Sequence, residues 1–204
     1  VYPGRLTPGK RFDKVAALAG AIEHKTEQCT KVVFCDFPCA DIPSNIYKRT
    51  IRMEGRKFGL EEGDLVFTSD LGYEQGFPRQ GVFDLFGLSN LFLCPSYSES
   101  FGLTVLEAAS RGNFLVLNEA VPALKELGDR LGAYFMRWDG RNFGYDTHEK
   151  YVPSEQAYYE EHGEAIVNLM REDRSLWAKT RTRTRYNGTW ICRNQLMPLL
   201  TGWA

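Results

Sequence analysis

Asn90-Leu-Phe-Leu-Cys-Pro-Ser-Tyr-Ser-Glu-Ser-Phe-Gly-Leu-Thr-Val-Leu-Glu-Ala-Ala-Ser-Arg-Gly112 changes hydrophobic pattern twice along its length. Leu91 to Cys94 is a short, wholly apolar run, which predicts a buried strand. Pro95 ends it, and Ser96 to Gly102 is turn-like, with three serines, a glutamate and a glycine. From Leu103 to Arg111 the period becomes helical, with Leu103, Leu106 and Ala109 expected on or near one face. The order is therefore buried strand, loop, helix start. In an open parallel sheet, ligands bind at the carboxyl ends of the strands. The first helix amides have no internal partner, and the helix dipole adds partial positive charge there. Such a corner is ready to bind an anion. Two carboxylates frame this one, Glu99 in the loop and Glu107 one turn beyond Leu103.

Carboxylates accept hydrogen bonds and suit sugar hydroxyls, whereas helix amides suit phosphate. A sugar nucleotide carries both kinds of group. The bare spacing of the two glutamates is weak evidence, because it recurs at Glu54/Glu62 and Glu164/Glu172, where exposed helical faces account for it. Only the Glu99/Glu107 copy follows a buried strand and brackets Phe101-Gly102 at a helix start.

The chain opens with a second corner of the same kind. Val1-Tyr2 reads as the end of a strand whose beginning is missing, and Gly4-Arg-Leu-Thr-Pro-Gly-Lys10 is a Gly/Pro loop with two cations. Val15, Leu18, Ala19 and Ile22 then mark an amphipathic helix. Arg5 and Lys10 either clamp a diphosphate or are two solvated loop cations.

Further along, strands are expected at 30–36, 64–69, 91–94, 114–117 and 133–136. Helices are expected from Pro43 to Lys57, Gly81 to Leu88 and Val121 to Leu127, the last ended near Gly128. Regular alternation argues an α/β fold, a Rossmann-like doubly wound parallel sheet of about six strands with right-handed crossovers. Arg137 to Pro153 is long, irregular and aromatic, a family-specific insertion or surface padding. Ser154 reads as an N-cap, with Ala157, Ile166, Leu169 and Met170 on the apolar face of the helix it starts. Another helix is expected from Asp173, which divides the chain into a nucleotide-sugar-binding domain, 1–172, and closing helices, 173–204. Arg181, Arg183 and Arg185 alternate with threonines, a pattern that a solvated helix face explains better than a nucleic-acid or membrane contact.

The chain has 204 residues and a net charge of −1, which gives no general attraction to nucleic acid or anionic membrane. Cys29, Cys35, Cys39, Cys94 and Cys192 are odd in number, and two lie in apolar runs; they read as reduced thiols of a cytoplasmic protein. Cys35 and Cys39 have no second Cys or His pair nearby to complete a zinc site. No signal peptide or membrane-spanning segment is evident. The Asn187-Gly-Thr189 sequon carries no meaning in a cytoplasmic protein. His24, His148 and His162 lie in polar settings and read as surface histidines. Ser96, Ser98 and Ser100 lack the Gly-x-Ser-x-Gly turn of a hydrolase nucleophile.

Glu99-Ser-Phe-Gly-Leu-Thr-Val-Leu-Glu107, with Pro95-Ser96 before it and Ala108-Ala109 and Gly112 after it, resembles the donor-binding segment of family-four retaining glycosyltransferases of the GT-B fold. Gly4-Arg5-Leu6 followed by Lys10 resembles the start of that family's C-terminal domain. The resemblance implies that Glu99 meets the donor-sugar hydroxyls and that Glu107 meets the ribose. It implies that the amides of Phe101, Gly102, Leu103 and Thr104 meet sugar and phosphates, and that Arg5 and Lys10 hold the diphosphate. Arg5, Lys10 and Glu99 would be the catalytic set. The reaction implied is sugar transfer from a nucleotide diphosphate sugar with retention. The leaving phosphate would assist proton transfer, and neither an essential metal nor a further cofactor is needed.

The likeness runs over roughly Val1 to Leu127. Tyr186 to Leu200 also resembles the family's closing helices, whose aromatic-rich segment packs back toward the other domain. Only the second of the two GT-B domains is represented, so the N-terminal acceptor domain is expected as a missing partner. The acceptor stays unidentified, and the full-length enzyme has room for membrane association. Two positions depart from the pattern: Arg11 stands after Lys10 where Gly is usual, and Phe114 opens a strand where Pro is usual. The alternative is a non-catalytic nucleotide-binding or interaction module on the same scaffold, because a fold does not fix a function. No motif reads the base or the sugar.

Overall fold

The computed structural model describes residues 1–27, 29–40, 42–138, 153–172 and 175–201, with 153–154, 175–177 and 201 as backbone alone. Strands and helices alternate through most of its length. They are β1 (Tyr2–Arg5), α1 (Phe12–Thr26), β2 (Val32–Phe37), α2 (Ser44–Lys57), β3 (Leu65–Phe67), α3 (Arg79–Leu88) and β4 (Leu91–Cys94), then α4 (Leu103–Arg111), β5 (Phe114–Asn118), α5 (Pro122–Leu131) and β6 (Tyr134–Met136). Helices α6 (Pro153–Arg171), α7 (Ser175–Arg185), α8 (Gly188–Ile191), a π turn at Cys192–Leu196 and α9 (Met197–Thr201) follow. The expected N-cap at Ser154, the helix start at Asp173, His148 and nearly all of the 137–153 segment lie outside the described side chains. No described helix is long and apolar enough to cross a membrane.

All described ladders are parallel, in the orders β1-β2-β3 and β4-β5-β6. β1 and β4 lie side by side, with the Tyr2 and Phe92 rings 6.1 Å apart, so the architecture is doubly wound with its switch point between them. The expected single sheet is thus two three-stranded ladders packed edge to edge. Phe114 shows what Pro would lose in β5, since its amide donates to the Asn90 carbonyl at 2.8 Å.

Aromatic rings fill the core. Phe12, Phe34 and Phe67 stack in series with centroids 5.1 and 5.0 Å apart, and every residue of β5 is buried, as a central parallel strand requires. Three expected details differ. α4 buries Val105, Ala108 and Ala109, while Leu103 is 65% exposed, because Leu103 is the first helical residue and projects past the sheet edge. α5 does not end near Gly128; it runs on to Gly132, whose left-handed φ of 71° stops it. Gly128 is a packing residue, since a Cβ there would lie 2.5 Å from Phe135 Cζ. On α6 the buried positions are Tyr159, Gly163, Ile166 and Val167, with Ala157 facing solvent, because Tyr159 fits between Phe58 (5.2 Å) and the Trp138 indole N–H (2.9 Å).

Gly20 marks the closest approach of α1 to the end of α2. A Cβ there would lie 2.7 Å from Phe58 Cβ and 2.8 Å from the Phe58 carbonyl oxygen, so backbone must move to admit it. Gly20→Ala is expected to destabilise the fold by about 1–3 kcal/mol, the usual cost of overpacking, and to lower the thermal unfolding midpoint. An unchanged midpoint would mean that α1 and α2 can slide apart freely.

Candidate functional site

The β1–α1 loop is shaped locally. The Thr7 hydroxyl accepts from the Gly9 amide at 3.2 Å, and Pro8–Lys10 forms one 3-10 turn. Arg11 caps α1 with φ 54° and ψ 49°, a left-handed conformation that costs a non-glycine residue and that glycine takes freely. This explains why Gly is usual at that position. Arg11 is 5% exposed, with its guanidinium 4.7 Å over the Tyr97 ring, a cation–π contact that offsets part of the strain.

The β4–α4 loop is anchored from β5. Asn118 Nδ2 donates to the Ser96 carbonyl at 3.2 Å, and Asn118 and Ser96 are both fully buried. Gly102 caps α4 with φ 80°, where a Cβ would crowd Leu124 and Val105 at 3.3 Å. The cap has no side chain, so the α4 first-turn amides at Leu103 and Thr104 are left for an outside acceptor.

The two loops meet. Lys10 Nζ donates to Glu99 Oε1 in a short ion pair, its side chains 32% and 15% exposed. The Tyr97 amide donates to the Gly9 carbonyl at 2.9 Å. Glu107, one turn into α4, accepts from Arg79 Nη2 at 3.1 Å; Arg79 opens α3 and is largely exposed. Arg5 ends β1 and is exposed; its carbonyl accepts from the Thr7 amide at 2.8 Å, and its side chain has no hydrogen bond or ion pair with the described residues. The side chains of Phe101 and Leu103 are exposed, and Thr104 is half-buried.

Lys10 and Glu99 meet at the carboxyl ends of β1 and β4, ahead of the uncapped α4 start, with Glu107 one turn into α4 and Arg5 the last residue of β1. Chemically, this offers a cation and uncapped amides to an anion, and two carboxylates to hydroxyls. Both carboxylates are neutralised internally, so a ligand enters by exchanging partners rather than by meeting free charge. Sequence reasoning passed over Tyr2, Arg79 and Asn118, and noted Arg11 only as a departure. Nothing local marks the first three, because the partners that tie them to the other loop or strand, Ser96 for both Tyr2 and Asn118, and Glu107 for Arg79, are 22 to 94 positions away. His162, expected at the surface, is half-buried and pairs with the Tyr134 hydroxyl at 2.6 Å; burial lowers its pKa.

No protein-family model matches the sequence, and no curated protein does. Solved structures do match. The C-terminal domain of the glycosyl transferase group 1 family protein LpcC from Francisella tularensis matches with a TM-score of 0.64 at 16% identity, over 92% of this chain and 87% of that one. Anabaena HepE, solved in complex with UDP and glucose, matches at 0.64 and 15% identity, over 98% of this chain and 47% of its own. WaaG, a glycosyltransferase involved in lipopolysaccharide biosynthesis, matches at 0.57 and 17% identity, over 95% and 44%. The chain thus spans less than half the length of HepE and of WaaG. At these identities the likeness is one of fold: the chain has the architecture of the C-terminal, Rossmann-like half of GT-B glycosyltransferases.

Proposed function

We propose that this chain is the donor-binding half of a retaining glycosyltransferase, acting on a nucleotide diphosphate sugar. The observation that carries the reading is the convergence of Lys10, Glu99 and the uncapped α4 amides at the switch point of the sheet. A diphosphate would take Lys10 and Arg5 on one side and the amides of Phe101 to Thr104 on the other. Glu107 would exchange Arg79 for the ribose hydroxyls, and Glu99 would exchange Lys10 for the sugar. HepE, with UDP and glucose bound on the same fold, supports this ligand class.

Retention follows if the leaving phosphate, held by Lys10 and Arg5, takes the acceptor proton on the face from which it departs. The acceptor would be held mostly by an N-terminal domain. Leu196, Met197, Leu199 and Leu200 are all exposed on the C-terminal helices and offer that domain an apolar face. Alone, the chain is expected to bind nucleotide and transfer little.

A thermal-shift panel of UDP, ADP, GDP and their sugars tests the reading. A ligand that binds only the native state raises stability by RT ln(1 + [L]/Kd), so the matching base gives the largest shift. No shift from any diphosphate removes the donor-site reading. Binding is also expected to persist without divalent metal, because Lys10, Arg5 and helix amides supply the neutralising charge. Calorimetry with and without a chelator checks this, and affinity lost to the chelator counts against it.

A further inference from the structure

The cation and the carboxylate of the site stand on loops that follow β1 and β4, two strands with no backbone ladder between them. The Gly9–Tyr97 backbone bond and the Lys10–Glu99 pair join those loops at their tips, and a buried side chain adds a third tie beneath them. Tyr2 spans the gap. Its hydroxyl donates to the Lys10 carbonyl at 2.7 Å and lies 3.1 Å from Ser96 Oγ. A phenol has one proton to give, and it goes to Lys10, so Ser96 is the donor in the second bond. The Cys94 thiol in turn donates to Ser96 Oγ at 3.7 Å. The result is a directional run from Cys94 through Ser96 and Tyr2 to the backbone of Lys10.

All three side chains of this run are buried, and Ser96 and Tyr2 are 0% and 2% exposed. Burial pushes the Tyr2 phenol far above its usual pKa and the Cys94 thiol up to about 11, so both remain protonated donors. The far end is fixed. The Ser96 carbonyl accepts from Asn118, whose own Oδ1 accepts from the amides of Ala120 (3.1 Å) and Trp138 (3.2 Å). The ring of Tyr2 packs edge-on against Phe12 at 4.9 Å, so the phenol has no freedom to swing.

We propose that Tyr2 is a positioning residue, which with Ser96 forms a strut that holds Lys10 in register with Glu99 and the α4 helix start. The strut rests on the donor-site reading above. It acts through Lys10, not on the ligand, so its effect exists only while Lys10 is present. Tyr2→Phe keeps the packed ring and removes only the hydroxyl, leaving the Lys10 carbonyl and the Ser96 hydroxyl without that partner.

The test is a double-mutant cycle read by calorimetry with UDP, ADP and GDP. Tyr2→Phe and Ser96→Ala are each expected to weaken the best-bound diphosphate about tenfold, the order of one well-formed hydrogen bond's influence on a charged contact. In a Lys10→Met background, Tyr2→Phe is expected to change nothing further, a non-additivity that a general loss of fold stability does not give. An equal loss in both backgrounds, or no loss in either, overturns the strut. If both single variants fail to fold, the run is structural and the proposal falls. If the unsubstituted chain binds none of the three diphosphates, the donor-site reading fails first and takes the strut with it. If that chain binds and Tyr2→Phe binds equally well, only the strut is lost.

Discussion

Lys10→Met is expected to weaken nucleoside diphosphate binding by about ten- to a hundredfold, the range for losing a hydrogen bond to a charged group. Two effects act in the same direction. The ammonium that would meet the phosphates is gone. Its present partner, Glu99, is also left uncompensated with its side chain only 15% exposed, so a carboxylate faces the incoming phosphates. Met preserves the length of the stem, and the Lys10 carbonyl keeps its bond from Tyr2, so the loop should hold its shape. Lys14→Met is the control. Lys14 lies one turn away on α1 and pairs with Glu155 at 2.7 Å, a mostly buried pair whose loss should cost stability but change affinity less than about twofold. Calorimetry at fixed salt separates the two. A Lys10→Met affinity within twofold of the parent would mean that the diphosphate meets neither Lys10 nor Glu99.

The architecture was readable because alternation of buried runs and amphipathic helices is a local signal. So was the corner at Gly102, because a glycine between a buried strand and a helix has few uses. The misreadings share a cause, which is packing between distant elements. Gly128 looks like a helix end, but it is there because Phe135 of β6 leaves no room for a Cβ, and the stop is four residues later at Gly132. Leu103 fits the helical period, but the buried face of α4 starts two residues further on, at Val105. The strut is less legible still, because Tyr2 and Ser96 are 94 positions apart and neither has an unusual neighbour. Arg11 was visible as a departure from the family pattern, yet its physical reason, a left-handed helix cap, appears only with the backbone angle. The pairing of Glu99 with Lys10 and of Glu107 with Arg79 was also invisible in sequence, and it changes what the glutamates should do.

Glu99→Gln and Glu107→Gln are therefore expected to differ in sign, not only in size. Glu107 lies one helical turn past the uncapped amides, so a ribose joined to phosphates on those amides is within its reach. Its present partner, Arg79, is 82% exposed, and an ion pair so open to water contributes little either way. Glu107→Gln should then weaken a free nucleoside diphosphate and its sugar nucleotide alike, by about tenfold, through loss of charge-assisted bonds to the ribose. Glu99 has the opposite relation to phosphate. It holds Lys10, the cation that phosphate needs, so it competes with the diphosphate for Lys10. Glu99→Gln removes that competitor and should tighten the free diphosphate by about threefold, a modest gain because the Lys10 end of the pair is 32% exposed and partly screened by solvent. The sugar nucleotide gains the same release but loses the carboxylate that would accept its sugar hydroxyls, at a cost of about tenfold. The ratio of the two affinities, not either one alone, reports the sugar contact. Gln keeps the volume of Glu, so packing is unchanged and the comparison holds at matched thermal stability. Equal tightening of both ligands by Glu99→Gln would leave Glu99 as a partner for Lys10 with no sugar to bind. Weakening of the free diphosphate by that change would mean that Glu99 holds Lys10 in place for phosphate rather than away from it.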